Sequence, residues 1–168
     1  TGGFPTALPL PMAARGAYAP DGKRIAYAAI PEPFNTWKRY RGGQTSPIWI
    51  FDCDSQEIEE IPHVNASDAY PCWLGERVYF LSDRNHTMNI FAYDTQSKSV
   101  RQVTHHDDFD VRSIATGGGV VAYEQAGRIH LLDPATGASH PVPIQITTDL
   151  PQTRPHYKKA NGYIRNAS

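Results

Sequence analysis

Three short apolar runs recur along the chain, and each ends in an aspartate. They lie at positions 48–52, 90–94 and 129–133, so the closing aspartates are 42 and 39 residues apart. A polar stretch of five residues follows each aspartate and leads into another strand-like run. In that run an apolar residue stands nine positions after the aspartate every time. These residues are Ile61, Val103 and Val142. A spacing this constant indicates a repeated structural unit.

Two further strand-like runs precede each of these runs. The nearer one carries the pairs Ala26-Tyr27, Val78-Tyr79 and Ala122-Tyr123, and the more distant one holds Tyr18, Trp73 and Ile114. Each unit is therefore four short strands, rich in aromatic and β-branched residues and separated by turns. Four strands about every 40 residues are typical of β-propeller blades, and a β-sandwich is the main alternative. The constant offset of nine favours the propeller.

The repeat predicts an all-β fold: a β-propeller segment of about three four-stranded antiparallel blades plus the start of a fourth, in one domain. We expect blades at 14–64, 67–106 and 109–146. A partial blade is expected at 151–168, where the run 157–164 would begin it. Three blades do not close a ring and leave sheet edges exposed, so a homo-oligomer is expected.

The first unit carries an insertion at 31–47, between its two middle strands. Its basic residues Lys38, Arg39 and Arg41 stand beside Trp37 and Tyr40. Guanidinium groups suit carboxylates, including a peptide C-terminus, and aromatic neighbours hold arginines by stacking. The three basic residues are therefore the candidate peptide-binding residues. The alternative is that the loop packs on the next blade, with both aromatic side chains as buried anchors and the charges in solvent.

Composition narrows the classes of partner. The 168 residues carry a formal net charge of −1 and are 40% hydrophobic, which is typical of a globular chain. This balance predicts neither a nucleic-acid partner nor a membrane partner, since both are recognised by basic surfaces. No apolar run has the length of a membrane span.

Candidate chemistry is sparse. No G-x-S-x-G motif occurs, and Ser67-Asp68 and Ser82-Asp83 are interpreted as turn sequences, so no catalytic residue is predicted. The segment 105–108 reads His-His-Asp-Asp. Neighbouring residues on a strand point to opposite faces, so these histidines are assigned to a solvated loop between blades rather than to a metal site. No cofactor is predicted.

The two cysteines, Cys53 and Cys72, are too few for a disulfide-rich scaffold. A single bridge between them is conceivable. We expect two free thiols instead, with Cys72 half-buried on a strand.

Several segments resemble a known family. The stretch 18–27, with Pro20-Asp21-Gly22, resembles the S-P-D-G-K-x-I-A-[YF] unit of TolB-type propellers. The insertion segment 37–43, followed by Ile-Trp-Ile at 48–50, resembles the N-terminal propeller of tricorn proteases. So do the segments 78–84 and 104–110. Two departures from the family pattern are Ala19 in place of serine and Asn85-His86 in place of Asp-Gly.

The resemblance implies a role inside a larger enzyme. Tricorn proteases are homo-oligomeric serine peptidases with a six-bladed propeller, a seven-bladed propeller, a PDZ domain and a C-terminal catalytic domain. This chain is then expected to be later blades of the six-bladed propeller, which scaffold the parent and gate peptide access to a catalytic domain elsewhere. Its partners would be peptides or other domains of the parent. The alternative is a TolB-like propeller that scaffolds protein partners with no peptidase attached.

Overall fold

A computed structural model describes residues 3–30, 38–45 and 47–163. These residues form three four-stranded antiparallel sheets, each in chain order. Blade 1 comprises β1 (Ala14–Tyr18), β2 (Arg24–Ala28), β3 (Ile48–Asp52) and β4 (Ile58–Glu60). Blade 2 comprises β5 (Asp68–Leu74), β6 (Arg77–Ser82), β7 (Asn89–Asp94) and β8 (Ser99–Gln102). Blade 3 comprises β9 (Val111–Gly117), β10 (Val120–Gln125), β11 (Arg128–Leu132) and β12 (Ser139–Pro141). The predicted all-β propeller segment is confirmed.

A shared turn after each third strand explains the constant offset of nine. The closing aspartate accepts a hydrogen bond through Oδ1 from the backbone N–H two residues further on. These bonds are Asp54 to Asp52 at 2.9 Å, Gln96 to Asp94 at 3.1 Å and Ala135 to Asp133 at 2.8 Å. The residue four positions after each aspartate then adopts a positive φ and donates its N–H to the aspartate carbonyl. These residues are Gln56, Lys98 and Gly137. The aspartates therefore hold the turns together, as short polar side chains commonly do.

The apolar residue nine positions on also has one role in all three blades. It lies directly after the fourth strand and donates its N–H to the first apolar residue of the third strand. The bonds run from Ile61 to Ile48 at 2.9 Å, from Val103 to Ile90 at 2.8 Å and from Val142 to Ile129 at 2.7 Å. The offset thus measures one turn plus one strand, and it repeats because the two together span the same number of residues in each blade, 53–60, 95–102 and 134–141.

These turns make stability depend on acidity. Hydrogen bonds from the Ser97 backbone N–H and from Arg77 lower the pKa of Asp94 to about 2. A carboxyl whose pKa is lower in the folded state stabilises that state above its unfolded pKa of about 4, and this contribution is lost as the pH falls from about 4 to 2. We expect Asp94→Asn to unfold at a lower temperature than wild type at pH 6, with the difference shrinking at pH 2. Thermal unfolding at both pH values measures this, and Asp107→Asn in an exposed loop is the control. A difference that does not change with pH would contradict the prediction.

The inner strands bring the blades together. β1 contacts β5, and β5 contacts β9, so the sheets fan outward from their first strands. One hydrophobic cluster joins blade 1 to blade 2. It consists of Ala19, Ala26, Ile48, Ile50, Ile61, Trp73, Val78, Phe80, Phe91 and Tyr93. A second cluster joins blade 2 to blade 3. It consists of Cys72, Tyr79, Leu81, Ile90, Ala92, Val111, Val121, Tyr123 and Leu132. Blade 2 is apolar on both faces because it lies between two neighbours.

The register corrects one detail of the repeat. The two middle strands of each blade pair in the same way relative to the closing aspartate. The residue two positions before that aspartate lies opposite an equivalent residue of the second strand in every blade. These pairs are Ala26 with Ile50, Tyr79 with Ala92 and Ala122 with Leu131. The match of Tyr79 with Tyr27 and Tyr123 is therefore wrong by one residue, and Phe80 is their equivalent. Because a shift of one residue turns a side chain to the other face of a sheet, Tyr79 packs toward blade 3 and Phe80 toward blade 1.

The inner strands of blades 1 and 2 carry the same irregularity. The pairing of β1 with β2 shifts between Ala14 and Gly16, and the pairing of β5 with β6 shifts between Ala69 and Cys72. Arg15 and Tyr70, the bulged residues, both have positive φ. The Arg15 Cζ atom lies 4.7 Å from the Tyr70 ring centroid, so the two bulges contact each other at the centre of the fan. The bulges project these side chains away from the ladder.

The described part of the expected fourth blade, 151–163, contains no strand. It forms two 3-10 turns, Pro151–Thr153 and Ala160–Gly162, and its residues are exposed. A strand needs a hydrogen-bonded neighbour, and this segment has none within the described residues. It is also rich in Pro, Lys, Asn and Gly, which are uncommon in strands. These two turns are also far too short to cross a bilayer, and no described helix is long and apolar enough to do so.

Candidate functional site

The segment 38–45 carries the basic residues of the insertion across to the loops that border blades 2 and 3. Lys38 Nζ lies 2.9 Å from Asp110 Oδ2, directly before β9. Arg39 donates from Nε to the carbonyl oxygen of His86 at 3.1 Å. His86 lies in the turn after β6 and has a φ of 74°. The departure from Asp-Gly in that turn is therefore accommodated, because histidine tolerates positive φ better than most residues.

Arg41 is the most firmly held of the three basic residues. Its Nη1 atom lies 2.8 Å from Asp83 Oδ2, and its Nη2 atom donates to the Asp83 carbonyl at 2.9 Å. The Asp83 side chain is 4% exposed, and its Oδ1 atom accepts from the Ser67 backbone N–H at 2.8 Å. A buried carboxylate needs a cation and hydrogen bonds to offset its lost hydration. Arg41 therefore fastens the insertion to blade 2, and its guanidinium is occupied by that contact.

An open cavity of about 460 Å³ lies next to Lys38. Its lining includes Phe109, Arg112 and Glu124 as well as Asp110. Phe109 is exposed, so its ring is accessible from solvent at this cavity. With Asp108, which also lines the cavity, two cations, three carboxylates and an apolar ring surround one depression. Such a mixture suits a short peptide better than a compact apolar ligand.

The contacts of the insertion fit the packing interpretation in part. The loop does pack on blade 2, and Tyr40 is half-buried there. Its charges are paired with Asp83 and Asp110 rather than being left to solvent alone. Trp37, the other expected anchor, lies outside the described residues. The sequence therefore identified the segment, while the partners of its cations come from residues more than 40 positions away.

A second buried ion cluster contains Asp68. The interpretation of the two Ser-Asp pairs as turn sequences is wrong in part, because Asp68 begins β5 and Ser82 ends β6. Asp68, with a side chain that is 1% exposed, lies 2.9 Å from His63 Nδ1 and 3.1 Å from Arg84 Nη2. Arg84 also covers the rings of Phe80 and Phe91, with centroid distances of 5.4 and 4.8 Å. The cluster joins the linker between blades 1 and 2 to the start of β5 and the end of β6. The Ser-Asp pairs are the only sign of this cluster in the sequence, and they do not show which basic side chains contact the aspartates.

His106 lies in the linker between blades 2 and 3 and contacts blade 3. His106 Nε2 lies 3.2 Å from the Tyr123 hydroxyl, which contacts Ser139 Oγ at 2.8 Å. Burial lowers the pKa of His106 below its usual value. Within residues 3–30, 38–45 and 47–163, no three His, Cys, Asp or Glu side chains come close enough to hold a metal ion.

Both cysteines are free thiols, as predicted. Cys72 on β5 is buried rather than half-buried, because it faces the cluster between blades 2 and 3. Burial raises the pKa of its thiol to about 12, which keeps it protonated at neutral pH. An inert, protonated thiol of this kind packs as a small apolar side chain.

Comparisons with known proteins agree with this geometry. Residues 1–138 match the model of the tricorn protease N-terminal beta propeller domain. A tricorn protease homolog of Saccharolobus solfataricus is 28% identical over 131 residues, which cover 78% of this chain and 12% of that protein. Tricorn protease homolog 1 of Streptomyces coelicolor is 34% identical over 121 residues, 71% of this chain and 10% of that protein. The chain thus spans about a tenth of the length of these relatives.

Solved structures show the same fold. The crystal structure of the tricorn protease aligns with a TM-score of 0.71 and 26% identity, over 82% of this chain and 13% of that one. TolB from Acinetobacter baumannii aligns with a TM-score of 0.58 and 18% identity, over 75% of this chain and 31% of that one, a likeness of fold alone. The three stacked four-stranded blades, the inserted basic segment and the family match over most of the sequence lead to one conclusion: the chain belongs to the tricorn protease N-terminal β-propeller family.

Proposed function

We propose that this chain is a non-catalytic propeller portion of a tricorn-type serine peptidase, which scaffolds the parent and controls peptide access to a catalytic domain outside the chain. The observation that carries the proposal is the segment 38–45, which holds cations at the edge between two blades. Loops that carry function are commonly held in this way by a rigid scaffold. Peptides and other domains of the parent are the proposed partners, and a homo-oligomer is the proposed assembly.

Lys38 and Arg39 are the proposed contacts for a peptide carboxylate. Both are exposed, and each makes one polar contact with the neighbouring blade loops. Arg39 donates from Nε to the His86 carbonyl oxygen, and this bond orients the guanidinium. A planar guanidinium fixed in this way pairs with a carboxylate through two parallel hydrogen bonds. Arg41 is proposed to act indirectly, by holding the segment in place.

Peptide binding tests this assignment. We expect the double variant Lys38→Ala/Arg39→Ala to bind a fluorescein-labelled peptide with a free C-terminus about tenfold more weakly than wild type. The reason is that charge-assisted hydrogen bonds contribute about 1.5–3 kcal/mol each before losses from solvent exposure. Fluorescence anisotropy measures both affinities. The same peptide with an amidated C-terminus should bind wild type and variant equally.

The matched control is Arg101→Ala, which removes an exposed cation from β8. It should leave the peptide affinity unchanged, because the net charge changes but the proposed site does not. Thermal unfolding of all variants verifies that they are folded. Equal affinity of wild type and the double variant for the free-carboxylate peptide would remove Lys38 and Arg39 from the peptide site.

The parent enzyme provides a separate test of access control. If the propeller guides peptides, Lys38→Ala/Arg39→Ala in the full-length protein should raise KM for peptides with a free C-terminus and leave kcat unchanged. A TolB-like scaffold with no peptidase is the alternative. Reading the coding sequence downstream of Ser168 separates the two, because the first proposal requires a PDZ domain and a serine peptidase domain there.

A further inference from the structure

An arginine is clamped between blades 1 and 2 at the turn side of the sheets. Arg24 donates from Nε and Nη2 to Asp21 Oδ2 at 3.0 and 2.9 Å. Its Nη2 atom also lies 3.4 Å from Glu76 Oε2 of blade 2. The Cζ atom stands 5.0 Å from the centroid of the Trp73 ring, which also belongs to blade 2. An aromatic ring and a carboxylate from the next blade thus complete the environment of this guanidinium.

Blade 2 carries an equivalent arginine, Arg77, at its junction with blade 3. Arg24 pairs with the closing aspartate of its blade, and Arg77 pairs with Asp94 in the same way. Blade 3 lacks the partners that blade 2 provides for Arg24. The inner-strand position of Trp73, which pairs with Val78, is taken in β9 by a threonine, Thr116, which pairs with Val121.

The turn position of the carboxylate is changed as well. Glu76 directly precedes β6, and Gly119 directly precedes β10. Blade 3 therefore brings neither a ring nor a carboxylate to Arg77. Replacing an indole by a threonine side chain and a glutamate by a glycine leaves space where the first junction is filled.

Gly119 lines an open cavity of about 560 Å³ between the turns of blades 2 and 3. Its lining includes Arg77, with Leu74 and Pro134 as apolar walls, the edge of Tyr79, and the carboxylates of Glu76 and Asp94. Arg77 is oriented by a hydrogen bond from Nε to Asp94 Oδ2 at 3.2 Å, and its side chain remains 41% exposed. The guanidinium is thus held in one orientation and open to solvent.

We propose that this cavity binds an aromatic side chain, a tryptophan or tyrosine, presented by a protein partner. The ring stacks on the Arg77 guanidinium as Trp73 does on Arg24, and Glu76 accepts a hydrogen bond from the indole N–H or phenol hydroxyl. Charge selects this ligand over an anion, because two carboxylates flank the single cation and repel phosphate or carboxylate groups. The site lies apart from Lys38 and Arg39 and does not depend on the proposed peptide contact.

Titration of the full chain with N-acetyl-tryptophanamide tests the proposal by two-dimensional ¹H–¹⁵N NMR. We expect the amide signals of Gly75, Glu76 and Gly119 to shift, with a dissociation constant of about 1 mM, which is ordinary for a ligand of this size. N-acetyl-leucinamide should shift them far less. Arg77→Met keeps the aliphatic stem and removes the cation, so it should weaken binding at least threefold. The control Arg101→Met should not, because Arg101 is exposed on β8 and does not line the cavity.

A second variant supplies the missing ring from within the chain. Thr116→Trp should abolish the response to N-acetyl-tryptophanamide, because its own indole fills the cavity. If Thr116→Trp does not fold, the affinity of Arg77→Met for N-acetyl-tryptophanamide tests the proposal by itself. Absence of shifts in wild type, equal shifts with the leucine probe, or unchanged affinity in Arg77→Met would overturn the proposal. Shifts of equal size with adenosine would also overturn it, since a nucleobase would then be as good a ligand as a protein side chain.

Discussion

Arg84→Ala is expected to lower the free energy of unfolding by about 3–5 kcal/mol, the usual cost of leaving one member of a buried ion pair without its partner. The Asp68 carboxylate, 1% exposed, would lose its arginine and keep His63 Nδ1 as a partner. The variant would also uncover the rings of Phe80 and Phe91, which Arg84 covers. Urea unfolding followed by circular dichroism measures the loss.

The partner substitution separates charge from packing. Asp68→Asn removes the buried charge, so the double variant Arg84→Ala/Asp68→Asn should be more stable than Arg84→Ala alone. Arg101→Ala, which removes an exposed arginine from the same blade, should change the free energy of unfolding by less than about 0.5 kcal/mol. A loss for Arg84→Ala no larger than that of Arg101→Ala would show that Asp68 does not need its arginine.

Phe80→Ala is the second change with a large expected effect, again about 3–5 kcal/mol. Phe80 is fully buried in the cluster between blades 1 and 2, and its ring stacks on Phe91 with centroids 6.1 Å apart. Removing the ring leaves a cavity that two packed sheets cannot close without moving. Phe109→Ala removes an exposed phenylalanine and should cost far less. Chemical denaturation of both variants gives the comparison.

A double-mutant cycle tests the register that places Phe80 toward blade 1. Ile50 of blade 1 belongs to the same cluster, so Phe80→Ala and Ile50→Ala should couple by more than about 0.5 kcal/mol. Val121 of blade 3 belongs to the other cluster, so its combination with Phe80→Ala should be additive within that limit. The opposite pattern would mean that Phe80 packs toward blade 3, against the register.

Local patterns in the sequence predicted much of the fold. The closing aspartates, the turns after them and the offset of nine are short-range features, because each hydrogen bond joins residues only a few positions apart. The strand content and the place of the insertion follow from the same local information. The start of a fourth blade did not, because residues 151–163 form no strand and have no described neighbour to pair with.

The candidate site also combines features that the sequence predicts with features that depend on the tertiary structure. The sequence alone determined that there are three repeated blades and that a basic segment interrupts the first. Only the tertiary structure decided that Tyr79 and Phe80 exchange faces, since register depends on which residue opposes which across strands. It also decided that Arg41 meets the buried Asp83 and that Arg77 lacks the ring that covers Arg24. These contacts join residues of different blades, and their energies depend on burial and on distance in space, which no local pattern in the chain encodes.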